Sequence, residues 1–277
     1  MNITCLVENT CGENCSNVEH GLSLYIETLD RKILFDAGQS DKLLYNANNL
    51  DINLLDVEYM ILSHGHYDHS GGIIPFSRIN NKAKIIIHEK AFGEYYHRSV
   101  SEERYIGIDK NIRELSNINI ISGDYRIDNA LSIFSGVNEK ILWPKGNSVL
   151  KEKIFVDEDY KFIQDEFNHE QYLVIEQEGK KILISGCAHN GILNIVNEFY
   201  LRFGEPPYAV ISGFHMMNKN GYSDEEVRII ENTAVKLNEI NTIFYTCHCT
   251  GEEPYRIMKE IMKDKLFYLH CGDRISV

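Results

Sequence analysis

The sequence predicts an α/β fold of the α+β kind, in which two sheets pack together and helices cover their outer faces. Two observations support this prediction. Each half of the chain begins with strands joined as a hairpin and continues with alternating strands and helices. The 277 residues, 43% of them hydrophobic, can bury one sizeable core, and no repeat or proline-rich linker interrupts them. We therefore expect a single domain over residues 1–277.

The first half of the chain predicts a hairpin followed by a helix. Two β-runs between Gly21 and Gly38 flank a polar turn at residues 29–32. Residues 40–50 then place apolar side chains on one face at helical spacing, with Ser40 as the expected N-cap.

Two more strands and a long irregular region complete this half. The strands are predicted at 57–62 and 83–88, and a helical stretch through Tyr95 and Tyr96 should follow the second. The region from about 98 to 165 mixes charged turns with short β-runs and is the least periodic part of the chain. We expect it to be a lid or an insertion over a site.

The second half of the chain is more regular. A hairpin over 171–185 turns at 178–180 and is the clearest antiparallel signal in the sequence. Ser223 and Glu226 form a capping box at the start of a helix. The elements after the hairpin are helix 192–203, strand 208–212, helix 224–237, strand 242–246, helix 254–263 and strand 266–269.

Composition limits the partners and the location of the protein. The formal net charge of −13 offers no basic surface for a phosphate backbone, so we expect a small-molecule substrate rather than nucleic acid. The first residues lack a basic segment followed by an apolar one, and no stretch approaches the ~18 apolar residues of a membrane span. We therefore expect no membrane partner and a cytoplasmic location, with the seven cysteines reduced. The sequence predicts no oligomeric state.

The motif HGHYDH, residues 64–69, carries the strongest chemical signal. It directly follows a buried strand and places three histidines and an aspartate within six positions. Imidazole nitrogens and carboxylate oxygens suit zinc, and also iron or manganese. Once other histidines join, these ligands exceed what one tetrahedral ion accepts, so two ions sharing the loop are the better geometry. A metal site is favoured over an exposed histidine-rich turn.

Several motifs identify a family. The chain resembles the metallo-β-lactamase superfamily over nearly its whole length through LFDAG at 34–38, SHGHYDH at 63–69, SGCAH at 185–189 and TCHCTG at 246–251. More narrowly, it resembles the branch that includes dihydropterin-ribofuranosylaminobenzene-phosphate synthases through EHGLS at 19–23, DAGQS at 36–40, SGFHM at 212–216 and HCTG at 248–251. The resemblance implies a four-layer αββα sandwich, in agreement with the predicted order of elements.

The resemblance also implies a ligand set for each of two metal ions. His64 and His66 would hold the first ion. Asp68 and His69 would hold the second, which His248 would complete from the far end of the chain.

Other positions near these ligands allow more than one interpretation. Cys187 stands where the superfamily's hydrolases usually carry a bridging aspartate, and its soft thiolate either binds one ion or leaves the two ions linked only by water. The last histidine of the first ion is His169, from its position before the hairpin, or His189, from the branch's GCAH pattern. We favour His189, because a loop at a strand end can aim its side chain into the same cleft. Asp36 would orient the ligand loop through hydrogen bonds.

The remaining histidines divide into candidates and background. His215 follows the strand at 208–212 and is predicted to donate to a substrate oxyanion, with ordinary packing as the alternative. His20, in the EHGLS loop, is a supporting candidate. We expect the other three, His88, His97 and His270, to be structural or exposed.

Together these features predict a metal-dependent hydrolase that uses two divalent ions, zinc before iron or manganese. The ions would activate a water and polarise an ester, amide or phosphoryl oxygen, while Asp68 would orient that water. A phosphoester or pterin-like substrate is implied by family analogy alone. The alternatives are the pterin-forming synthase reaction of the same branch and a sensor that binds metal or ligand without turnover, which the replacement of the bridging aspartate by Cys187 favours.

Overall fold

The computed structural model describes residues 1–15, 17–28 and 31–277. In these residues the strands are β1 (Asn2–Val7), β2 (Ser23–Thr28), β3 (Arg31–Phe35), β4 (Tyr59–Ile61), β5 (Lys84–His88), β6 (Tyr95–Arg98), β7 (Glu103–Tyr105), β8 (Ile118–Ile121), β9 (Tyr125–Arg126), β10 (Leu131–Ser135), β11 (Leu150–Val156), β12 (Asp159–Gln164), β13 (Gln171–Gln177), β14 (Lys180–Ile184), β15 (Ala209–Ser212), β16 (Ile243–Thr246), β17 (Leu266–Tyr268) and β18 (Arg274–Ser276). The helices are α1 (Lys42–Asn49), α2 (Tyr67–Ser70), α3 (Ile73–Ile79), α4 (Ile192–Phe203), α5 (Asp224–Glu239) and α6 (Glu252–Met262).

Two large sheets contain most of the strands. Within the described residues, each has seven strands, in the orders β18-β1-β2-β3-β4-β5-β8 and β17-β16-β15-β14-β13-β10-β9. Antiparallel hairpins lead into a parallel run in both: β3, β4, β5 and β8 in the first, and β14 to β17 in the second. Parallel strands end at the same edge of a sheet, so the loops that follow them lie side by side.

The alternation of side chains along the strands produces three apolar layers. Leu24 of β2 and Leu173 of β13 belong to the layer between the two sheets. Their neighbours in sequence, Tyr25 and Val174, belong to the two outer layers. Those outer layers include residues of α1 and α3 on the first sheet and of α4, α5 and α6 on the second. The predicted four-layer αββα sandwich is confirmed.

A third, smaller sheet is formed within the region that the sequence shows as least periodic. It has the strand order β12-β11-β6-β7 in the described part of the chain. Strand β11 joins its two halves, pairing antiparallel with β12 on one side and with β6 on the other. This sheet carries side chains that reach the cavity described below.

The predicted helix through Tyr95 and Tyr96 is wrong. A 3-10 turn over Glu89–Phe92 is followed by strand β6, in which Tyr95 pairs with Glu152 of β11. The helical spacing of apolar side chains is real but local, whereas β11 supplies a long-range partner for the backbone. Pairing between strands outweighs local propensity here.

Two details of the first hairpin and helix also differ from the prediction. Helix α1 has Asp41 rather than Ser40 at its N-cap, and the Ser40 hydroxyl donates instead to Glu19 Oε2 at 2.5 Å. Of the predicted turn, Leu29 and Asp30 lie outside the described residues, and Arg31 already belongs to β3.

The second half follows the prediction closely. The capping box is present: Ser223 Oγ accepts from the Glu226 N–H at 3.3 Å, and Glu226 Oε2 accepts from the Ser223 N–H at 2.8 Å. Helix α4 ends at Gly204, whose φ of 73° is the left-handed conformation that commonly closes helices. Across residues 1–15, 17–28 and 31–277, every helix is too short or too polar to cross a membrane.

Candidate metal centre

The candidate ligands lie where strands of both sheets end. Strand β4 is followed by the ligand loop, residues 62–66, and by the one-turn helix α2. The other contributing turns follow β14, β15 and β16 of the second sheet, and β3 leads into Asp36. These turns line a cavity of about 160 Å³.

Contacts of its backbone fix the ligand loop. Gly65 allows a close approach, because a Cβ at this position would lie 2.6 Å from the carbonyl oxygen of Ala91. The N–H of Ser63 donates to Asp36 Oδ1 at 2.7 Å, and the Ser63 hydroxyl donates to Asp36 Oδ2 at 2.7 Å. The loop therefore holds its histidines in one arrangement.

Three buried histidines, His64, His66 and His189, form the first group. Each contributes one ring nitrogen, and these nitrogens all lie within 4.8 Å of one another. His64 Nε2 and His189 Nε2 are only 3.3 Å apart. Within the described part of the chain, His66 Nε2 is buried without a hydrogen-bond partner.

Hydrogen bonds determine which nitrogen of these rings carries the proton. The Ser63 hydroxyl gives its own proton to Asp36, so at 2.8 Å it can only accept from His64 Nδ1–H. The Asn147 amide donates to the His189 carbonyl at 2.7 Å, which turns its oxygen toward His189 Nδ1 at 3.1 Å. Both rings are therefore protonated on Nδ1 and present the lone pair of Nε2 to the group.

A second group surrounds Asp68. Its Oδ2 lies 3.3 Å from His248 Nε2 and 3.7 Å from His69 Nε2. Cys187 Sγ lies 3.1 Å from His69 Nε2, so this cysteine borders both groups. The geometry between His248 and Asp68 is not that of a hydrogen bond, and His248 Nε2 is buried with no such partner among the described residues.

The rings of the second group are oriented in the same manner as those of the first. Asp36 Oδ2 accepts from His69 Nδ1–H at 2.6 Å. The Asn9 amide donates to the His248 carbonyl at 3.2 Å, and its oxygen accepts from His248 Nδ1–H at 2.9 Å. Asp36 thus bonds both the loop, at Ser63, and the ring of His69.

His169 is buried beside the ligands, but both of its ring nitrogens have other partners. Nδ1 accepts from the Gly65 N–H at 2.9 Å, and Nε2 lies 3.1 Å from Asp165 Oδ2. Its ring also contacts that of Tyr95, with centroids 4.1 Å apart. Of the two histidines that the sequence left open, His189 presents a nitrogen to His64, and His169 holds the ligand loop.

His20 and His215 lie at the rim of the two groups. His20 is exposed, and its Nε2 lies 3.3 Å from Asp68 Oδ2. The ring of His215 lies 4.1 Å from that of His189, and its Nδ1 is buried without a hydrogen-bond partner in the described residues. His88 instead accepts from the Lys90 N–H at 3.2 Å, and His270 bonds the Thr10 hydroxyl at 2.6 Å.

Burial and neighbouring charges shift the pKa values of these groups in opposite directions. Burial and the adjacent rings lower the pKa of His66 to about 3 and hold the pKa values of His64 and His189 well below the ordinary range. Burial also lowers the pKa of His69, but the carboxylates of Asp36 and Asp68 outweigh it and raise that pKa to about 9. Burial raises the pKa of Asp68, but His69 and His248 outweigh it and hold that pKa well below the ordinary range.

The third sheet provides one wall of the cavity. His97 of β6, Arg104 of β7 and Leu150 of β11 line it opposite the ligands. The Arg104 guanidinium donates to the Tyr67 hydroxyl at 3.1 Å, beside the ligand loop. His97, predicted to be structural or exposed, is therefore a cavity residue.

Sequence reasoning missed several residues of this centre. Asn9 and Asn147 carry no recognisable pattern, because each bonds a histidine far away in the sequence. Arg104 lies in the aperiodic region. Cys249 does carry a sequence signal, because it directly follows His248 in the HCTG motif, and the structure adds that it lines the cavity.

Comparisons with known proteins agree with the fold. The family model of the metallo-beta-lactamase superfamily matches residues 17–216. An uncharacterized protein of Methanocaldococcus jannaschii is 32% identical over 283 residues, which cover 99% of this chain and 100% of that protein. The 7,8-dihydropterin-6-methyl-4-(beta-D-ribofuranosyl)-aminobenzene-5'-phosphate synthase of the same organism is 28% identical and covers 93% of this chain and 90% of its own.

A solved structure supports the same assignment. Tm1679, described as a metal-dependent hydrolase of the beta-lactamase superfamily, superposes with a TM-score of 0.81 at 28% identity, covering 100% of this chain and 99% of that one. The resemblance found in the motifs, including its branch, is confirmed. The chain belongs to the metallo-beta-lactamase superfamily.

Proposed function

We propose that this protein is a metal-dependent hydrolase that acts on a small molecule through two adjacent divalent-ion sites. Zinc is the ion that best suits the donors, with iron and manganese as alternatives. The superfamily and the candidate groups of His, Cys and Asp support a metal-dependent activity. We propose both the number of ions, two per chain, and their identity.

One observation carries this proposal: His64 Nε2 and His189 Nε2 face each other at 3.3 Å, and both are lone-pair atoms. Two acceptors without a proton between them repel each other, and a cation that accepts both lone pairs removes that cost. The buried nitrogens His66 Nε2 and His248 Nε2, which find no hydrogen-bond partner among the described residues, require the same explanation. The donor set therefore fits metal ions.

We assign the proposed ligands of each ion from the two clusters of donor side chains. His64, His66 and His189 would hold the first ion. Asp68, His69 and His248 would hold the second, and Cys187 borders both. Divalent ions in such sites activate water and polarise a substrate oxygen.

The chain's own residues would then orient the reacting groups. Asp68 Oδ2 lies among three imidazoles and can accept a hydrogen bond from a water in the cavity. His215 lines the cavity beside His189, where its ring can donate to a developing oxyanion or to a leaving group. Asp36 would keep His69 in the required tautomer.

The cavity and its wall support a small substrate. A wider groove of about 950 Å³ adjoins the metal cavity, and His97, Leu150, His215 and Met217 line both spaces. We include in the proposal that the third sheet is a lid over the site. We propose a phosphoester or a pterin-like compound as the substrate, by analogy with the relatives of the branch.

Metal content and turnover measured together test the function. We expect wild-type protein, purified without added metal, to hold close to two ions per chain by elemental analysis and to hydrolyse a generic aryl phosphodiester or ester. His66→Ala should lose one ion and the turnover. His88→Asn is the matched control, because it changes a buried histidine outside the groups and keeps an acceptor for the Lys90 amide. Wild-type protein that binds no metal would overturn the proposal.

The relative named as a synthase supports one alternative, in which the same centre joins two substrates. A synthase would retain the metals and leave generic esters intact, but would consume a pterin substrate together with its partner. A sensor would retain the metals and turn over neither. The same panel of substrates therefore separates the three functions.

A further inference from the structure

We propose that Cys249 is a second thiolate ligand of the centre, so that the sulfurs of Cys187 and Cys249 would hold the second ion together with the imidazole of His248. This inference rests on the proposed function and deepens it. It changes the chemical character of one of the two sites, because a second soft sulfur donor joins Cys187 and the nitrogen and oxygen donors assigned to that site.

The three donor atoms already lie together. Cys187 Sγ, Cys249 Sγ and a ring nitrogen of His248 are all within 4.8 Å of one another, and the three residues are buried. Since His248 Nδ1–H is donated to Asn9, the nitrogen left for a ligand is Nε2. That atom is buried and makes no hydrogen bond to any described residue.

The turn after β16 selects which cysteine reaches the cavity. Cys247 has an extended backbone, and its side chain belongs to the apolar layer between the sheets. His248 then adopts a φ of 49°, and the 3-10 turn that it begins directs Cys249 into the cavity. Cys247 and Cys249, which flank His248, thus have different surroundings. Those of Cys247 are apolar and those of Cys249 are polar.

The residues around Cys249 Sγ leave space for the sulfur and direct a hydrogen-bond donor at it. A Cβ on Gly213 would lie 2.5 Å from Cys249 Sγ, so the glycine of the SGFHM motif leaves the space that the sulfur occupies. The N–H of His215 donates to Cys249 Sγ at 3.2 Å. A backbone N–H directed at a sulfur stabilises negative charge there, which suits a thiolate ligand.

A cysteine used only for packing would have different neighbours. Buried cysteines commonly behave as small hydrophobic side chains, as Cys247 does. Cys249 instead lies against a backbone N–H, the Cys187 carbonyl oxygen at 3.5 Å, a second sulfur and an imidazole without a hydrogen-bond partner among the described residues. The ligand role explains the N–H, the sulfur and the imidazole, and in the metal-free protein the thiol donates to the carbonyl.

The chemical consequence is a difference between the two sites. Three neutral imidazoles would form the first, whereas two thiolates would join Asp68, His69 and His248 in the second. Thiolates favour zinc, cobalt and cadmium over manganese and magnesium. The second site should therefore select soft ions more strongly than the first.

Cobalt substitution tests the inference without using activity. Protein freed of metal by a chelator is titrated anaerobically with Co²⁺ under a non-thiol reductant, and sulfur-to-cobalt charge-transfer absorption is recorded in the near ultraviolet. We expect Cys249→Ala to reduce the charge-transfer intensity of the wild type to about half, and Cys187→Ala to do the same. The double variant should lose that absorption.

Controls separate this inference from the proposed function. Cys247→Ala, one residue from His248 on the opposite side, should retain the full charge-transfer intensity. Zinc-edge X-ray absorption of the wild-type holoprotein should show sulfur neighbours from both thiolates, and this measurement needs no variant. Visible cobalt bands with full charge-transfer intensity in Cys249→Ala would overturn the inference alone. Wild-type protein without any cobalt bands would overturn the proposed function as well.

Discussion

The Nε2 atoms of His64 and His189 face each other at 3.3 Å, and the partners of both rings place the protons on the opposite nitrogens. His64 is held through Ser63, and His189 through Asn147. On the other side of the centre, Asn9 holds His248 in the way that Asn147 holds His189. Two asparagines thus fix the tautomers of two proposed ligands.

Removing either asparagine should weaken metal binding. Because each amide bonds both the carbonyl and the ring of its histidine, we expect Asn147→Ala and Asn9→Ala each to lower zinc affinity about 10- to 100-fold, at the first and second site respectively. Competition with a chromogenic zinc chelator measures these affinities. Asn138→Ala is the control, since Asn138 is exposed and donates to Gly136. Unchanged affinities in both variants would contradict the supporting role.

His169 and His189 should respond differently to substitution. His189→Ala removes a proposed ligand, so we expect the loss of one ion by elemental analysis. His169→Ala should retain both ions but lower the free energy of unfolding by about 1–3 kcal/mol, because the Gly65 N–H and the Asp165 carboxylate lose their buried partner. Urea unfolding of the metal-free proteins measures this difference. The reverse pattern of metal loss would make His169 the ligand.

The metal-free protein should lose stability in acid. In the unfolded chain a histidine takes up a proton near pH 6.5, whereas His66 in the folded protein does so only near its pKa of about 3. Between these values the unfolded state binds more protons, so the free energy of unfolding falls as the pH falls, by up to about 1.4 kcal/mol per pH unit for each such ring. Urea unfolding from pH 7 to 4 should show a shallower decline in His66→Gln than in wild type. Equal slopes would refute this assignment.

His69 should act in the opposite direction at alkaline pH. Its folded pKa of about 9 lies above the unfolded value, so its pairing with Asp36 stabilises the metal-free fold fully below pH 6.5. That contribution is lost as the pH rises toward 9. We expect His69→Gln to remove this alkaline decline in urea unfolding, and a decline that persists unchanged would point to other groups.

The capping box at the start of α5 allows a test away from the centre. Ser223→Ala should lower the free energy of unfolding by about 1 kcal/mol, because the Glu226 N–H loses its acceptor. Bonds from Ser223 lower the pKa of Glu226, so the contribution of this carboxylate is present above its unfolded pKa and decreases as the pH falls. Ser116→Ala, at an exposed turn position, is the control. Metal content should be the same in all of these proteins.

The elements that depend on residues close together in the sequence were predicted correctly from the spacing of those residues. The motif of His64 to His69, the hairpin over β13 and β14, and helix α4 were found because the spacing of neighbouring residues encodes them. Strand β18 was missed because its pairing partner, β1, lies far away in the sequence. Tyr95 was assigned to a helix because its strand partner lies far along the chain.

In the candidate metal centre, likewise, some residues could be predicted from the sequence and others are brought there only by long-range contacts. The histidines at 64–69 were predicted from sequence spacing, and His189 and His248 from the family resemblance, whereas Asn147 and Asn9 are joined to the latter two only by the fold. The sequence left the choice between His169 and His189 open, because the contact that distinguishes them, from the Gly65 N–H to His169, joins residues far apart in the sequence.

The pairing of the first strand with the last has a consequence for folding order. Strand β1 lies between β18 and β2, and the N-terminal ammonium bonds the Val277 carbonyl at 3.2 Å. The first sheet therefore reaches its full width only after nearly the entire chain is available. Contacts of such large sequence separation form slowly, because a long loop must close first. An incomplete chain would expose β1 as an unpaired edge, which makes truncated fragments prone to aggregation.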